Sequence, residues 1–394
     1  MIDAKIQPTL DAVGSKRVVF VTQYYGRARG GLGSYEEAML PLLRQRIPIE
    51  AVQIQPSNIP SWLSQIAKVA GRDLVAVATA NPCRVPGISR HDIVHLCNQN
   101  LALALWLNPI RQSIVTVQDI ITYVEMVNHA ATLTSLDQAT KLLLRLNTQS
   151  LAKADILICV SEYTARELTT YTRVRSDQIR IIPDAVDHDI YYPQPVSADF
   201  RQKYQLDEAY QYVTYVGSRH PRKNLKFLCE VMGAVCREMP SAKLIIGGNP
   251  GTPEQENSLR QWIDAAGLTG HVRILPYLTL EELSLLMNAS SILVYPSLYE
   301  GFGLPPLEAM ACGCPTITSN VSSVPEVVGD AAITLNPTDA AAWKDAILHL
   351  LQDETAWQMY REKGLARASL FHWTQIADKT IELYREFDQP RGGR

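Results

Sequence analysis

Short apolar runs alternate with stretches of helical spacing along most of the chain. Residues 17–22, RVVFVT, form the first run and lead through the glycine-rich segment QYYGRARGGLG into SYEEAMLPLLRQR, whose apolar positions recur at helical intervals. Further runs of buried-strand length stand at 49–54, 74–78, 92–96, 114–117 and 156–160, with helical patterns at 136–152 and 162–171. Continuously apolar strands separated by helices imply parallel sheets covered on both faces. The alternation stops over 183–211, PDAVDHDIYYPQPVSADFRQKYQLDEAYQ, which shows no clear core pattern, and then resumes. Strands are expected at 212–216, 243–246, 272–275, 292–295 and 316–318. Helices are expected at 223–237, 254–266, 280–287 and 305–311, over a run at 339–371, and at 374–387. The pattern predicts two α/β domains of nearly equal size, 1–190 and 191–372, facing across a cleft. Ligands of such sheets bind beyond the carboxyl ends of the strands, so two half-sites and a two-substrate enzyme are expected.

Composition narrows the classes. The 394 residues suffice for two or three domains, and 46% hydrophobic against 20% charged residues excludes a mainly disordered chain. A net charge of −3 gives no bulk attraction to nucleic acid. The apolar run LALALWL at 101–107 is stopped by Asn108 and Pro109, well short of the ~20 residues of a membrane span. The first residues, MIDAKIQPTLDAVGSK, show no apolar signal-peptide core, and the seven scattered cysteines include no C-x-x-C. A cytoplasmic protein with reduced thiols is expected.

The richest chemistry lies in 291–327. A strand ends at Tyr295, a loop carries Glu300-Gly301-Phe302-Gly303, and a helix opens near Pro305. Backbone N–H groups at Gly303 and Leu304 would point at a ligand, and the helix dipole favours negative charge there. Glu300 and Glu308 are eight positions apart. At a helical rise that is on the order of 10 Å, wide for the carboxylate pair of a glycoside hydrolase at ~5–9.5 Å. The two read instead as anchors on different parts of one long ligand.

The stretch PSLYEGFGLPPLEAMACGCP resembles the signature of the retaining glycosyltransferases of family 4. The resemblance covers most of the chain, strongest over 212–338 and weaker over 17–190. It implies two Rossmann-like domains in the GT-B arrangement, with the last helix, in 373–394, returning to the first domain. It implies transfer of a hexose, with retention, from a nucleotide-sugar donor of the GDP-mannose or UDP-glucose type. The acceptor would be a glycan, a lipid-linked sugar or a small molecule, and no cofactor is needed.

Carried over by position, Glu308 holds the donor ribose hydroxyls and Glu300 faces the sugar. Gly301, Phe302, Gly303 and Leu304 supply backbone donors to sugar and phosphate. In VGSRHPRKNL, 216–225, Arg222 and Lys223 resemble the pair on the donor diphosphate, with Arg219 a weaker candidate. A planar Arg fork and a Lys point charge suit a leaving group that gains charge as the sugar bond breaks. The PRKN form leans toward mannosyl transfer. Gly31 and Gly33, in the loop Gly30-Gly31-Leu32-Gly33, resemble the turn that approaches the donor from the first domain.

Gln118 departs from the pattern. It stands before Asp119 where relatives often have a histidine, and it can hydrogen-bond but not carry a proton charge. That departure motivates an alternative, a noncatalytic partner protein with a decayed first-domain site. Pro183-Asp184-Ala185-Val186-Asp187 resembles the P-N-G-V-D at which relatives cross into the second domain; Asp187-His188-Asp189 reads as D-x-D, but Asp187 closes that linker motif and Arg222, Lys223 and helix ends already offer positive charge, so no metal is expected. A nicotinamide dehydrogenase is disfavoured because the first loop lacks a complete dinucleotide motif. Ser161 is either a cleft residue or a helix N-cap, His95 a hydrogen-bonded core residue, and Trp373 and Tyr384 packing residues. Segment 59–72, with Trp62, Lys68 and Arg72, is an ordinary first-domain helix or an amphipathic one in peripheral contact with anionic lipid.

Overall fold

A computed structural model describes residues 16–23, 31–54, 84–128 and 137–387. The expected strand at 74–78, the segment 59–72, Gly30, Cys83, His129 and the tail from 388 lie outside the described residues. The chain divides into two compact units, Met1–Asp184 with Trp373–Arg394, and Ala185–His372.

In the first unit the described elements run β1 (Val18–Thr22), α1 (Gly31–Arg44), β2 (Ile49–Gln53), β3 (Ile93–Leu96), α2 (Ala104–Leu107), β4 (Gln112–Val117), α3 (Ile121–Val127), α4 (Gln138–Ser150), β5 (Ile156–Cys159), α5 (Glu162–Tyr171) and β6 (Ile179–Ile181). The strands form one parallel sheet in the order β2-β1-β3-β4-β5-β6. β1, β3 and β5 are buried along their full length, as their continuous apolar runs require.

Two buried polar groups pin this sheet. The Glu36 carboxylate on α1 accepts from the Gln23 N–H (3.2 Å), the Cys97 thiol (2.6 Å) and the Asn98 amide (3.2 Å), tying the ends of β1 and β3 together. His95 is fully buried; its Nδ1 lies 2.7 Å from the Tyr384 hydroxyl and its Nε2 2.8 Å from Thr116 Oγ1. Burial pushes this imidazole down to about 3, so it is a neutral core residue. Trp373 packs edge-on against Tyr35 at 6.0 Å.

The second unit contains α6 (Ala198–Tyr204), β7 (Gln211–Val216), α7 (Leu225–Glu238), β8 (Ala242–Gly247), α8 (Pro253–Ala265), β9 (Val272–Ile274), α9 (Leu280–Ala289), β10 (Ile292–Tyr295), α10 (Leu304–Ala311), β11 (Thr316–Ser319), α11 (Val324–Val328), β12 (Ile333–Leu335), α12 (Ala340–Gln352) and α13 (Glu354–Ala368). Its parallel sheet has the order β12-β11-β10-β7-β8-β9, the doubly wound arrangement that reverses between β7 and β10. Helix α14 (Trp373–Glu386) then rejoins the first unit, where Tyr384 bonds His95.

The structure adds elements to the sequence pattern. β6 and β12 are three-residue strands without a single fully buried residue, too short and too wet to show a period. α6 occupies the stretch expected to lack a pattern; Ser197 caps it, and Gln205 ends it in the left-handed region at φ 52. The second unit begins a little before the expected residue 190. Val186 pairs with His372 in a lone parallel bridge, its N–H reaches the Phe371 carbonyl (3.4 Å), and His188 packs on His372 at 4.4 Å. No helix among the described residues is long and apolar enough to cross a membrane.

Candidate functional site

The site of the second unit forms where its sheet reverses, after the neighbouring strands β7 and β10. Beyond β7 the chain makes a single tight turn over Pro221–Lys223, capped by His220 Nδ1, which accepts from the Arg222 N–H (3.3 Å). Asn224, at φ 60, ends that turn, opens α7, and donates from its side chain to the Pro337 carbonyl (2.9 Å). Beyond β10 the loop carries Ser297 and Glu300. Ser323 Oγ donates to the carbonyls of Glu300 and Phe302 (2.9 Å each), and the Glu300 N–H donates to Ser322 Oγ (3.0 Å). Gly303 sits at φ +114, where a side chain would be strained, and caps α10. Pro305 and Pro306 have no N–H, so the donors at this helix start are those of Gly303 and Leu304.

The two loops meet at one carboxylate. Glu300 is 7% exposed; its Oε1 accepts from Lys223 Nζ (2.5 Å), the Tyr295 hydroxyl (2.9 Å) and Ser297 Oγ (2.5 Å), and its Oε2 from Arg222 Nη1 (3.0 Å). Lys223 Nζ also donates to the Tyr295 hydroxyl (2.6 Å), and Arg222 Nη1 to the Tyr299 carbonyl (2.9 Å). Burial pushes the Glu300 carboxyl up, but Lys223 and Arg222 outweigh it and hold it down at about 2. Burial, then Arg222 and Lys223, lower His220. The structure thus brings together three residues that the sequence assigned to different parts of the donor. Tyr295 and Ser297 complete the cluster; only their place at a strand end beside the Glu300 motif could have marked them.

Glu308, on α10, shares none of these hydrogen bonds. Burial raises its carboxyl to about 7, with the neighbouring Tyr191 hydroxyl acting in the opposite direction. Arg219 is turned inward: its guanidinium meets Glu256 (3.1 Å) and the carbonyls of Gly217 and Gly247 (3.3 Å each), which makes it a loop clamp. Asp187 Oδ1 accepts from the Asp189 N–H (3.0 Å) in a local turn. No cluster of three or more metal-ligating side chains occurs among the described residues.

In the first unit Gly31 and Gly33 lie in the first turn of α1 and not in a preceding loop. Gln118, 7% exposed, donates its backbone N–H to Gln99 Oε1 (3.1 Å) and its side-chain N–H to Asp184 Oδ1 (3.1 Å). Sequence reasoning missed Asp184 as its partner, 66 positions away. Ser161 is the N-cap of α5, accepting from the Thr164 N–H (3.0 Å).

Burial raises the Asp184 carboxyl to about 7, against the Gln118 hydrogen bond. A raised carboxyl favours the protonated fold, so the stability it carries is lost as pH rises from about 4 through about 7. Asp184→Asn keeps an acceptor for Gln118 and removes that loss. The variant should have the higher urea midpoint at about pH 9, with the gap narrowing below about pH 7 and closing near pH 4. A gap that is absent at pH 9 contradicts this.

The matches to known proteins cover both units. A Glycosyltransferase Family 4 model matches residues 51–190, and a Glycosyl transferases group 1 model matches 196–367. The chain belongs to the family 4 glycosyltransferases. O-antigen chain mannosyltransferase B of Escherichia coli is 36% identical over 240 residues, 60% of this chain and 62% of that one. The serotype-specific mannosyltransferase WbdA of the same organism is 31% identical over 58% of this chain and 28% of its own length. The chain thus spans less than two thirds of these relatives. Among solved structures, sucrose-phosphate synthase from Thermosynechococcus elongatus superposes with TM-score 0.71 at 21% identity, covering 95% of this chain and 99% of that one. Anabaena HepE in complex with UDP-glucose gives 0.69 at 19% identity, covering 93% and 98%. The chain shares with these neighbours the GT-B fold of two Rossmann-like domains.

Proposed function

We propose that the protein is a retaining hexosyltransferase that takes a mannose- or glucose-type sugar from a nucleoside-diphosphate donor and passes it to a glycan, lipid-linked or small-molecule acceptor. The observation that carries this reading is the Lys223–Arg222–Glu300 cluster at the sheet reversal, beside the helix start at Gly303 and Leu304. Without donor, Glu300 balances both cations. A diphosphate placed there shares them, and the share grows as the sugar–oxygen bond breaks and charge gathers on the leaving phosphate. Lys223 and Arg222 act as the electrostatic catalysts, with Glu300 placing them and meeting the sugar. The backbone of Gly301, Phe302, Gly303 and Leu304 supports sugar and phosphate, and Glu308 accepts from the ribose hydroxyls. Gln118 contributes a hydrogen bond from the first unit, as do Gly31 and Gly33 at the start of α1. The mannosyltransferase relatives favour GDP-mannose; the UDP-glucose complex of HepE keeps UDP-glucose in the test. The buried, free thiols among the described residues suit a cytoplasmic setting.

The two cations supply the charge that a divalent ion would bring, so no cofactor or metal enters the proposal. Nucleotide release from GDP-mannose and from UDP-glucose, with and without a chelator, tests it. Release from at least one donor, unchanged by the chelator, is expected. Activity lost in the chelator and restored by Mg²⁺ or Mn²⁺ refutes metal independence; no release from either donor, with or without acceptor extracts, refutes the transferase.

A further inference from the structure

Among its described residues, the first unit exposes an apolar stripe. On α4, Leu142 and Leu146 are one turn apart and 57% and 50% exposed; Trp106, at the end of α2, is 61% exposed. A surface groove joins Trp106 and Leu146 with Leu103, Tyr171 and Arg173. Scattered exposed leucines need no explanation, but Trp106 and Leu146 along one groove, with Leu142 one turn from Leu146 on α4, form a patch that calls for a partner.

The charge around the stripe has one sign. The Lys153 ammonium lies 2.9 Å from the Trp106 ring centroid. Lys141 and Arg145 flank the leucines on α4, in the run KLLLRL. Together with Arg173, neither of them has an ion pair among the described residues, and no acidic side chain lines the groove. Asp137, at the start of α4, is engaged in capping Thr140.

We propose that this stripe is a docking surface for an anionic lipid bilayer, with Trp106, Leu142 and Leu146 entering the headgroup region and Lys141, Arg145, Lys153 and Arg173 meeting lipid phosphates. Tryptophan and leucine bordered by long cationic side chains is the composition that lies flat at a membrane interface, since the stems of lysine and arginine stay with the apolar face while their charges reach the headgroups. Self-association is the poorer fit. A second copy would bring cations against cations, and the cores of protein interfaces are depleted in charge. The stripe is built from residues other than 59–72, and the inference does not rest on the transfer reaction.

Flotation of the full chain with vesicles tests it, using phosphatidylcholine alone and phosphatidylcholine with about a third phosphatidylglycerol. Binding to the anionic vesicles, weak binding to the neutral ones, and a loss in high salt are expected. Leu142→Glu/Leu146→Glu should cut the bound fraction about tenfold or more, and Trp106→Ala severalfold. Donor nucleotide release measured without vesicles should stay at the wild-type rate in both, which shows that they are folded. A wild-type chain that does not float, or a double variant that floats like wild type, overturns the proposal. So does a wild-type dimer that the double variant converts to monomer without any vesicle binding, which makes the stripe a self-association surface. Flotation by a chain that releases no nucleotide leaves this inference standing and removes the transferase instead.

Discussion

Lys223→Met will slow turnover by about 10²–10³-fold, the usual cost of removing one preorganised charge donor from a developing anion, and it will destabilise the fold. The second effect follows from Glu300. Its carboxylate is buried and receives the Lys223 ammonium at 2.5 Å. Removing one partner of a buried pair costs ~3–5 kcal/mol, because the remaining charge is left uncompensated. Arg222 stays at 3.0 Å from the other oxygen, so the low end of that range is expected. Glu300→Gln added to Lys223→Met should restore much of the stability, since the buried charge is gone, but none of the turnover. The pair also sets an acid limit. A carboxyl held at about 2 contributes stability that is complete above its ordinary range near 4 and is lost as pH falls toward 2. The double variant should lack that loss. Denaturant midpoints and turnover for the single and double variants measure both effects. Wild-type turnover in Lys223→Met removes the leaving-group role, and a double variant no more stable than the single one removes the charge argument.

Glu308 should give the second large effect, and in a different parameter. Ribose is remote from the bond that breaks, so its contacts are similar in ground and transition states, and their loss appears in the donor KM. The ionised carboxylate offers both oxygens to the two hydroxyls and accepts charge-assisted bonds, stronger than those of the neutral acid, and burial keeps Glu308 protonated below about 7 in the free protein. The donor KM should therefore fall as pH rises through about 7. Hydrogen bonds to a charged group are worth ~1.5–3 kcal/mol, or about 10–100-fold in affinity. Glu308→Gln should raise the donor KM by about that factor at pH 8, leave kcat within a fewfold of wild type, and flatten the pH profile. A kcat collapse at unchanged KM would move Glu308 to the reacting bond.

The strands that sit inside the two sheets were legible because burial on both faces demands uninterrupted apolar runs, as in VVFVT and ILVY. Of the edge strands, IEAVQ and VRI were expected, but IRI and ITL, three residues long and only partly buried, were not. The glycines at 31 and 33 read as loop because glycine weakens a helix interior, yet in the first turn that cost is small and α1 begins on them. At the site, two separate motifs marked Glu300 and the Arg222–Lys223 pair as candidates. Their union spans 77 and 78 positions, and residue types carry no record of which distant loops touch. The same limit hid Asp184 behind Gln118. The run LALALWL announced apolar character without revealing that Trp106 faces outward.

The bond between His95 and Tyr384 joins residues 289 positions apart within one unit. During synthesis the second unit, contiguous from Ala185 to His372, emerges complete while the first still lacks α14. The domain begun first must therefore be finished last. Until α14 has emerged, the polar faces of His95 and Thr116 and the ring of Tyr35 lack their covering, a state that a chaperone or protease could recognise. Losing α14 would injure the first unit, and the contiguous second unit would be spared.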